Sequence, residues 1–227
     1  MQGLTTRFSG QLPQLILFDL DGTLVDSVPD LAAATDQMLL QLGRPAAGLD
    51  KVRLWVGNGA EVLVRRALAD ALDASLVDNA EAAAALKLFL QLYAQQHDLT
   101  VLYPHVLATL TTLKQQGIAL ALVTNKPEQF LPALFARYGL TQFFDWVVGG
   151  DTFALRKPDP YGINWVLQQA KVQPEQAVFV GDSRNDILAA KAAGVLSVAL
   201  TYGYNHGLPI AQEDPDWIID SLAELVQ

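Results

Sequence analysis

Residues 15–23 read LILFDLDGT, the most informative stretch of the chain. Four apolar residues are followed by an acid and then by Gly-Thr, a pattern typical of a buried strand that ends in a turn. Asp19 and Asp21 lie two positions apart, so both carboxylates leave the strand at its end. Two such charges repel each other unless a cation lies between them or one of them carries a proton. An ordinary strand followed by an Asx-type turn is the alternative at this point.

Further apolar runs alternate with helix-like segments along the chain. The strand candidates are residues 119–123, 146–148, 177–180 and 197–200, and the helix candidates are residues 104–116, 127–138, 160–170 and 185–193. Continuous apolar strands that alternate with helices predict an α/β fold, a doubly wound, Rossmann-like parallel sheet covered on both faces. Ligands of such sheets bind beyond the carboxyl ends of the strands.

Residues 28–101 interrupt this alternation. This region has no comparable strand, and residues 29–42, 60–72 and 80–96 have the apolar spacing of helices. The pattern predicts a small all-helical cap inserted after the first strand. We therefore expect an α/β core made of residues 1–27 and 102–227, with a cap domain at residues 28–101.

Composition narrows the possible functions. With 51% hydrophobic residues the chain can bury a packed core, and its net charge of −9 argues against a nucleic-acid partner. The absence of cysteine excludes disulfides, thiolate metal sites and thiol nucleophiles. Residues 1–14 lack the apolar core of a signal peptide, and no apolar run reaches the ~18 residues of a membrane span. These features predict a cytoplasmic protein without a membrane partner.

Polar side chains follow several of the predicted strands. Thr124 comes directly after the strand at 119–123, and Asp182 follows the strand at 177–180. Lys157 precedes a helix, where it could supply a positive charge to the same edge, and Lys126 is its rival. Taken singly, Thr124 and Asp182 could each be a helix N-cap. Together with Asp19 they favour a phosphoryl-transfer site with a divalent cation held by oxygen ligands.

The sequence at this point resembles the haloacid dehalogenase-like hydrolase superfamily. Residues 19–23 are similar to its first motif, Thr124 to its second, Lys157 to its third and the GDSRND stretch at 181–186 to its fourth. The predicted helical insert stands where that superfamily carries a small cap. The resemblance implies an enzyme that hydrolyses a phosphomonoester.

The resemblance also implies a role for individual residues. Asp19 would be the nucleophile that becomes an aspartyl phosphate, and Asp21 would protonate the leaving group and then activate water. Mg²⁺ would be held by the carboxylates of Asp19 and Asp182 and by the backbone carbonyl of Asp21.

Four further residues would complete the site by the same resemblance. Thr124, Asn125 and Lys157 would bind the phosphoryl oxygens. Asp186 would support Lys157 or a metal-bound water. The partner would then be a small-molecule phosphate ester.

Longer stretches are similar to the bacterial phosphoglycolate phosphatases of that superfamily. These stretches are residues 25–31, 55–59, 157–160 and 181–194. The resemblance implies 2-phosphoglycolate as substrate, and another small-molecule phosphatase or a sugar-phosphate mutase remains an alternative. A receiver-like signalling module, which also accepts phosphate on an aspartate, is the non-enzymatic alternative. Either a monomer or a homodimer is compatible with the sequence.

The insert offers cations for a substrate carboxylate. Arg53, Arg65 and Arg66 lie near the Gly-Asn-Gly bend at residues 57–59. Adjacent Arg65 and Arg66 point about 100° apart on a helix, so at most one of them is expected to face the site. A solvated helix face is the alternative for each.

Overall fold

The computed structural model describes residues 2–8, 10–95 and 98–227. The strands are β1 Leu15–Phe18, β2 Val25–Asp26, β3 Val101–Leu102, β4 Ala119–Val123, β5 Trp146–Val148, β6 Ala177–Gly181, β7 Leu196–Leu200 and β8 Trp217–Ile219. The helices are α1 Gln2–Arg7, α2 Val28–Gln41, α3 Leu49–Trp55, α4 Ala60–Ala69, α5 Asn79–Tyr93, α6 Val106–Gln115, α7 Leu131–Tyr138, α8 Tyr161–Ala170 and α9 Arg184–Ala193. Short 3₁₀ segments lie at Glu128–Phe130, Pro174–Gln176, Ile210–Glu213 and Leu222–Leu225.

The main sheet of the described chain has six parallel strands in the order β5-β4-β1-β6-β7-β8. All four residues of β1 are buried, because β4 and β6 flank the strand and apolar clusters cover both faces of the sheet. Strands β4 and β5 lie on one side of β1, and β6 to β8 lie on the other. The order of the strands therefore reverses at β1. Parallel α/β sheets bind their ligands beyond the carboxyl ends of the strands at such a point. This arrangement confirms the predicted doubly wound fold.

Helices α2 to α5 form the all-helical insert between β2 and β3. Their inner faces share one apolar cluster, which includes Trp55, Leu63 and Phe89 from the insert and Phe130 and Tyr204 from the core. Because the core contributes two aromatic side chains to this cluster, the insert is packed against the main sheet's carboxyl edge.

A two-stranded antiparallel pair carries both chain connections to the insert. Val25 pairs with Leu102 and Asp26 pairs with Val101, so the chain leaves the core on β2 and returns beside it on β3. Neither short strand was predicted, because two residues are too few to show a period. The predicted return of the chain near residue 102 agrees with β3.

The predicted strands and most helices agree with the structure, with differences at their ends. The helix expected at 60–72 ends at Ala69, because Asp70 has a left-handed backbone with φ 51°. The helix expected at 80–96 spans Asn79–Tyr93, and residue 96 lies outside the described residues. Helix α3, only seven residues long, was missed. No helix in the described part of the chain is both long and apolar enough to cross a membrane.

Candidate active site

Three strand ends bring the first polar groups together. Asp19 directly follows β1, and its N–H donates to Val180 O of β6 over 3.0 Å. Thr124 follows β4, and its N–H donates to Val148 O of β5 over 2.9 Å. Asp182 follows β6. Because these bonds continue the sheet ladder, the positions of Asp19 and Thr124 are fixed by the sheet rather than by loops.

Lys157 connects two of the predicted acids. Its Nζ lies 2.6 Å from Asp186 Oδ1 and 2.9 Å from Asp19 Oδ1. Burial alone would lower the pKa of Lys157, but Asp186 and Asp19 raise it above its ordinary value, so the side chain is a cation. A buried cation at this position can neutralise charge on a phosphoryl group beside Asp19.

Asp186 has both of its oxygens occupied by this chain. Oδ1 accepts from Lys157, while Oδ2 accepts from the N–H of Asp182 at 3.1 Å and from the N–H and Oγ of Ser183 at 2.9 and 2.7 Å. These contacts form the capping box that begins α9. The contact supports a positioning role for Asp186 toward Lys157.

Asp182 is held in place by its surroundings. Its Oδ1 accepts from Thr23 Oγ1 at 2.6 Å, and its Oδ2 accepts from the N–H of Tyr204 at 2.7 Å. A Cβ added at Gly22 or Gly203 would lie 2.2 Å from Asp182 Oδ2, so the backbone passes this carboxylate where only glycine fits. The side chain therefore has one orientation, facing the end of β1.

The acids at this edge have the composition of a site for a hard divalent cation. Carboxylate oxygens of Asp19, Asp182 and Asp186 lie within 4.8 Å of one another. Burial raises the pKa of Asp19 to about 7 and raises that of Asp182 well above its usual range. Asp19 Oδ1 is buried, and its contact among the described residues is the Lys157 ammonium at 2.9 Å.

These observations fit Mg²⁺, which prefers carboxylate, carbonyl and water oxygens. Carboxylates held this close repel one another, and a cation between them would relieve the repulsion. Asp19 and Asp182 are the better candidates as ligands, because Asp186 already pairs with the Lys157 ammonium at 2.6 Å and accepts from three donors through its other oxygen.

Asp21 lies on the side of the site that faces the insert. Ser27 Oγ donates to its Oδ1 over 2.6 Å, and Lys126 Nζ lies 3.1 Å from the same oxygen. Lys126 Nζ also donates to the Tyr93 hydroxyl of α5 over 2.5 Å. Burial alone would lower the pKa of Lys126, but Asp21 and Tyr93 raise it above its ordinary value. In the sequence, Lys126 was only an alternative to Lys157 as the cation of the site. In the structure both are present: Lys126 pairs with Asp21, and Lys157 pairs with Asp19 and Asp186.

Two asparagines of the core bind one carbonyl of the insert. Asn125 Nδ2 donates to Gly57 O at 3.0 Å, and Asn185 Nδ2 donates to the same oxygen at 3.1 Å. Asn125 Nδ2 also donates to Lys157 O at 2.9 Å, which links this contact to the lysine beside Asp19. Nearby, His206 Nδ1 lies 2.7 Å from Leu54 O. The insert is thus closed over the sheet edge.

A cavity of about 50 Å³ lies between the insert and the sheet edge. Asp19, Asp21, Thr124, Asn125 and Lys126 line it from the core. The remaining wall is largely apolar and includes Leu31, Val56, Leu63, Phe89 and Phe130. Lys157, Asp182 and Asp186 lie beneath it. A confined space between the insert and the sheet edge favours a small ligand.

The three arginines of the insert lie elsewhere in this closed arrangement. Arg65 binds Val77 O at 3.1 Å and Asn79 Oδ1 at 2.7 Å. Arg66 binds Trp55 O at 2.6 Å, where it caps the end of α3.

Arg53 lies 3.8 Å from Asp26 and stacks over the Tyr204 ring at 5.3 Å. None of the three belongs to the cavity wall formed by the described residues. The expectation that one of them faces the site is therefore not supported, because their guanidinium groups are used to hold the insert together and against the core.

Comparison with known proteins identifies the family of this chain. The family model of the haloacid dehalogenase-like hydrolases matches residues 16–200. A phosphoglycolate phosphatase of Pseudomonas putida is 58% identical over 226 residues, covering 100% of this chain and 83% of that protein. A second phosphoglycolate phosphatase, of Pseudomonas savastanoi, is 57% identical with the same coverage.

A solved structure agrees at the level of the fold as well. The crystal structure of a predicted phosphoglycolate phosphatase from Haemophilus somnus is 40% identical, with a TM-score of 0.88 over 94% of this chain and 96% of that one. The match covers the core strands and the insert alike. The chain therefore belongs to the haloacid dehalogenase-like hydrolase family.

Proposed function

We propose that this chain hydrolyses 2-phosphoglycolate to glycolate and phosphate, with Mg²⁺ and through an aspartyl phosphate on Asp19. The coarser statement rests on the family and on full-length relatives of about 57% identity: the chain is a phosphatase, a phosphoric monoester hydrolase. The finer proposal is carried by one observation. A small cavity between the insert and the sheet edge is lined by Asp19, Asp21 and the cation of Lys126.

In the first step, the Asp19 carboxylate attacks phosphorus while the bond from phosphorus to the ester oxygen breaks. Asp21 gives a proton to the departing alkoxide. In the second step, Asp21 takes a proton from water as the water oxygen attacks phosphorus, and the bond to Asp19 breaks. Inorganic phosphate leaves and both aspartates return to their starting states.

Positioning and charge neutralisation carry most of the catalysis of phosphoryl transfer. We assign Lys157, Thr124 and the backbone N–H of Asn125 to the phosphoryl oxygens, since the Asn125 side chain already donates to Gly57 O and Lys157 O. We assign Asp186 to the orientation of Lys157. The carboxylates of Asp19 and Asp182 and the carbonyl of Asp21 would hold Mg²⁺. When bound, this ion neutralises the charge that develops on the phosphoryl group.

We also propose residues 28–101 as a cap domain on a core of residues 1–27 and 102–227. The two Asn side chains on Gly57 O support this division, because they are contacts that an opening cap would break. A closed cap excludes water from charged intermediates and favours small substrates.

Asp19→Asn tests the covalent step. The substitution keeps the size and polarity of the side chain but removes the nucleophile, so we expect no turnover of 2-phosphoglycolate and no acid-stable acyl phosphate after brief mixing with ³²P-labelled substrate. Asp151→Asn is the matched control, since Asp151 is an exposed acid that accepts a hydrogen bond from the N–H of Glu128. We expect the control to label and to turn over like the parent.

Two results would contradict the proposal at different levels. Normal turnover by Asp19→Asn would remove the aspartyl phosphate from the mechanism. If the parent enzyme hydrolyses other small phosphate esters with the same kcat/KM as 2-phosphoglycolate, the substrate assignment is wrong. The phosphatase chemistry would still stand.

A further inference from the structure

We infer that Lys126 is the cation that binds the second anionic group of the substrate, the carboxylate at the end opposite the phosphoryl group. This inference rests on the proposed function, because it assumes a substrate with such a group. It assigns specificity to the core loop that follows β4 rather than to the insert.

Lys126 is the one cationic side chain in the cavity wall that the described residues form. Its side chain is only 3% exposed, so the charge has little contact with solvent. The cap arginines hold other groups, and Lys157 lies beneath the cavity between Asp19 and Asp186. An anionic group that enters the cavity therefore meets the ammonium of Lys126.

The contacts of the ammonium leave it able to meet an anion. A lysine carries three N–H donors. Among the described residues, Lys126 Nζ donates to the Asp21 carboxylate at 3.1 and 3.4 Å and to the Tyr93 hydroxyl at 2.5 Å. The bond of 3.4 Å is the longest of the three and goes to a carboxylate that Nζ already contacts. Since Asp21, Tyr93 and Lys126 all line the cavity, an anionic group there can replace this longest contact.

The walls around Lys126 increase the value of such a contact. Leu31, Phe89 and Phe130 are apolar parts of the same cavity, and Phe130 packs edge-on against Tyr93 at 4.9 Å. A carboxylate is costly to bury among such groups unless a cation meets it. A neutral group of the same size gains much less from the ammonium, so the site distinguishes the two ligands by charge.

The size of the cavity limits where the carboxylate can lie. Asp19 and Lys126 line the same cavity, so a phosphoryl group at Asp19 leaves the space towards Lys126 to a short tail. A two-carbon acid has such a tail. The carboxylate of a longer or bulkier substrate would need the insert to open.

The test compares two phosphate esters that differ in the terminal group alone. One is 2-phosphoglycolate, and the other is 2-hydroxyethyl phosphate, which has a neutral hydroxymethyl group in place of the carboxylate. Lys126→Met keeps most of the length of the side chain and removes the charge. We expect it to lower kcat/KM for 2-phosphoglycolate by roughly 30-fold or more relative to 2-hydroxyethyl phosphate.

The ratio of kcat/KM for the two esters distinguishes a role of Lys126 in binding the carboxylate from a purely structural role. Tyr93→Phe removes the partner on the insert and leaves the ammonium in place, so we expect it to change both substrates alike. Arg65→Met, at a cation outside the cavity wall, should leave the ratio at the parent value, and Lys126→Arg should retain much of the preference. A loss of both activities in equal proportion in Lys126→Met would overturn the inference and reduce Lys126 to a residue that positions Asp21.

Binding without turnover gives a second measurement. Asp19→Asn and Asp19→Asn with Lys126→Met can be titrated with each ester by calorimetry, after circular dichroism has shown that both are folded. We expect the lysine substitution to weaken binding of 2-phosphoglycolate selectively. Equal weakening of both esters would contradict the inference. A parent enzyme that does not turn over 2-phosphoglycolate would instead refute the proposed function, so the two failures are distinguishable.

Discussion

At the scale of single residues, the central feature is a carboxylate whose protonation is coupled to stability. Burial raises the pKa of Asp19 to about 7 from an ordinary value of 3.8. The folded protein without metal therefore binds this proton more tightly than the unfolded chain does. The stability that it contributes is present at low pH and is lost as pH rises from about 4 to about 7. Asp182 shares the effect, because burial raises its pKa as well.

This coupling predicts an unusual stability for Asp19→Asn. In excess chelator at pH 8, the variant should melt at a higher temperature than the parent, since the buried charge is gone, by on the order of a few kcal/mol in the free energy of unfolding. At pH 5 the difference should shrink to roughly a third, because this pH is only about one unit above the ordinary pKa of 3.8. Adding Mg²⁺ should raise the melting temperature of the parent more at pH 8 than at pH 5, because the ligands must lose their protons to bind it.

Thermal melts of both proteins at the two pH values check this prediction, with Asp151→Asn as the control for loss of a surface charge. A parent that is as stable as Asp19→Asn at pH 8 in chelator would show that the charge on Asp19 is not costly. An equal Mg²⁺ effect at both pH values would argue against binding at these carboxylates.

At the scale of elements, the contact between α9 and the insert depends on few hydrogen bonds. Asn185 in the first turn of α9 donates one of the two bonds received by Gly57 O. Asn185→Ala should therefore favour an open insert by about 1 kcal/mol, the usual net contribution of such a bond. We expect KM for the substrate to rise about fivefold with a smaller change in kcat. Amide hydrogen exchange in α3 and α4 should become faster.

Asn164→Ala is the matched control, since Asn164 is exposed on α8 and its substitution should change neither KM nor the exchange rates. Unchanged exchange in Asn185→Ala would mean that the apolar contacts of Phe130 and Tyr204 with the insert suffice to hold it closed. The exchange rates thus show whether hydrogen bonds or apolar contacts keep the insert closed over the sheet edge.

At the scale of the whole molecule, the sheet edge could be predicted from sequence and the insert's placement could not. Asp19, Thr124 and Asp182 each follow an apolar run, and parallel strands bring their carboxyl ends to one edge, so local sequence was sufficient. The surroundings of Lys126 depend on how α5 packs over that edge. Likewise, Tyr204 binds Asp182 through its N–H and Asp26 through its hydroxyl, a contact that no local pattern indicates.

The three arginines of the insert also show why contacts between distant elements could not be predicted from the sequence. A cationic side chain near a glycine-rich bend is a reasonable candidate for a ligand contact. The sequence contains no sign that Arg66 caps α3 at Trp55 O, because α3 itself is too short to have been predicted. Contacts between elements that are distant in the chain therefore account for most of what sequence reasoning missed.

The paired connections to the insert predict that the core can fold without it. Residues 27–100 can be replaced by the two-residue turn Asn-Gly, which joins antiparallel strands such as β2 and β3. We expect the shortened protein to keep the circular dichroism of the α/β core and to be less stable because Phe130 and Tyr204 lose their cover. We expect it to retain only part of its preference for 2-phosphoglycolate over 2-hydroxyethyl phosphate, because Lys126 remains while the apolar walls that the insert contributes are gone. An unfolded product would show that the core depends on the insert.

The antiparallel pair also has a meaning for how such an enzyme could diversify. Asp26 and Val101 are neighbours in the ladder, so any segment whose ends lie one strand spacing apart can be spliced between them without moving the main sheet. Exchange of the spliced segment would alter the walls and size of the substrate chamber, while Asp19, Lys157 and Lys126 stay where they are. New substrate specificities could then arise by exchange of the segment between β2 and β3, while the residues that carry out the reaction stay the same.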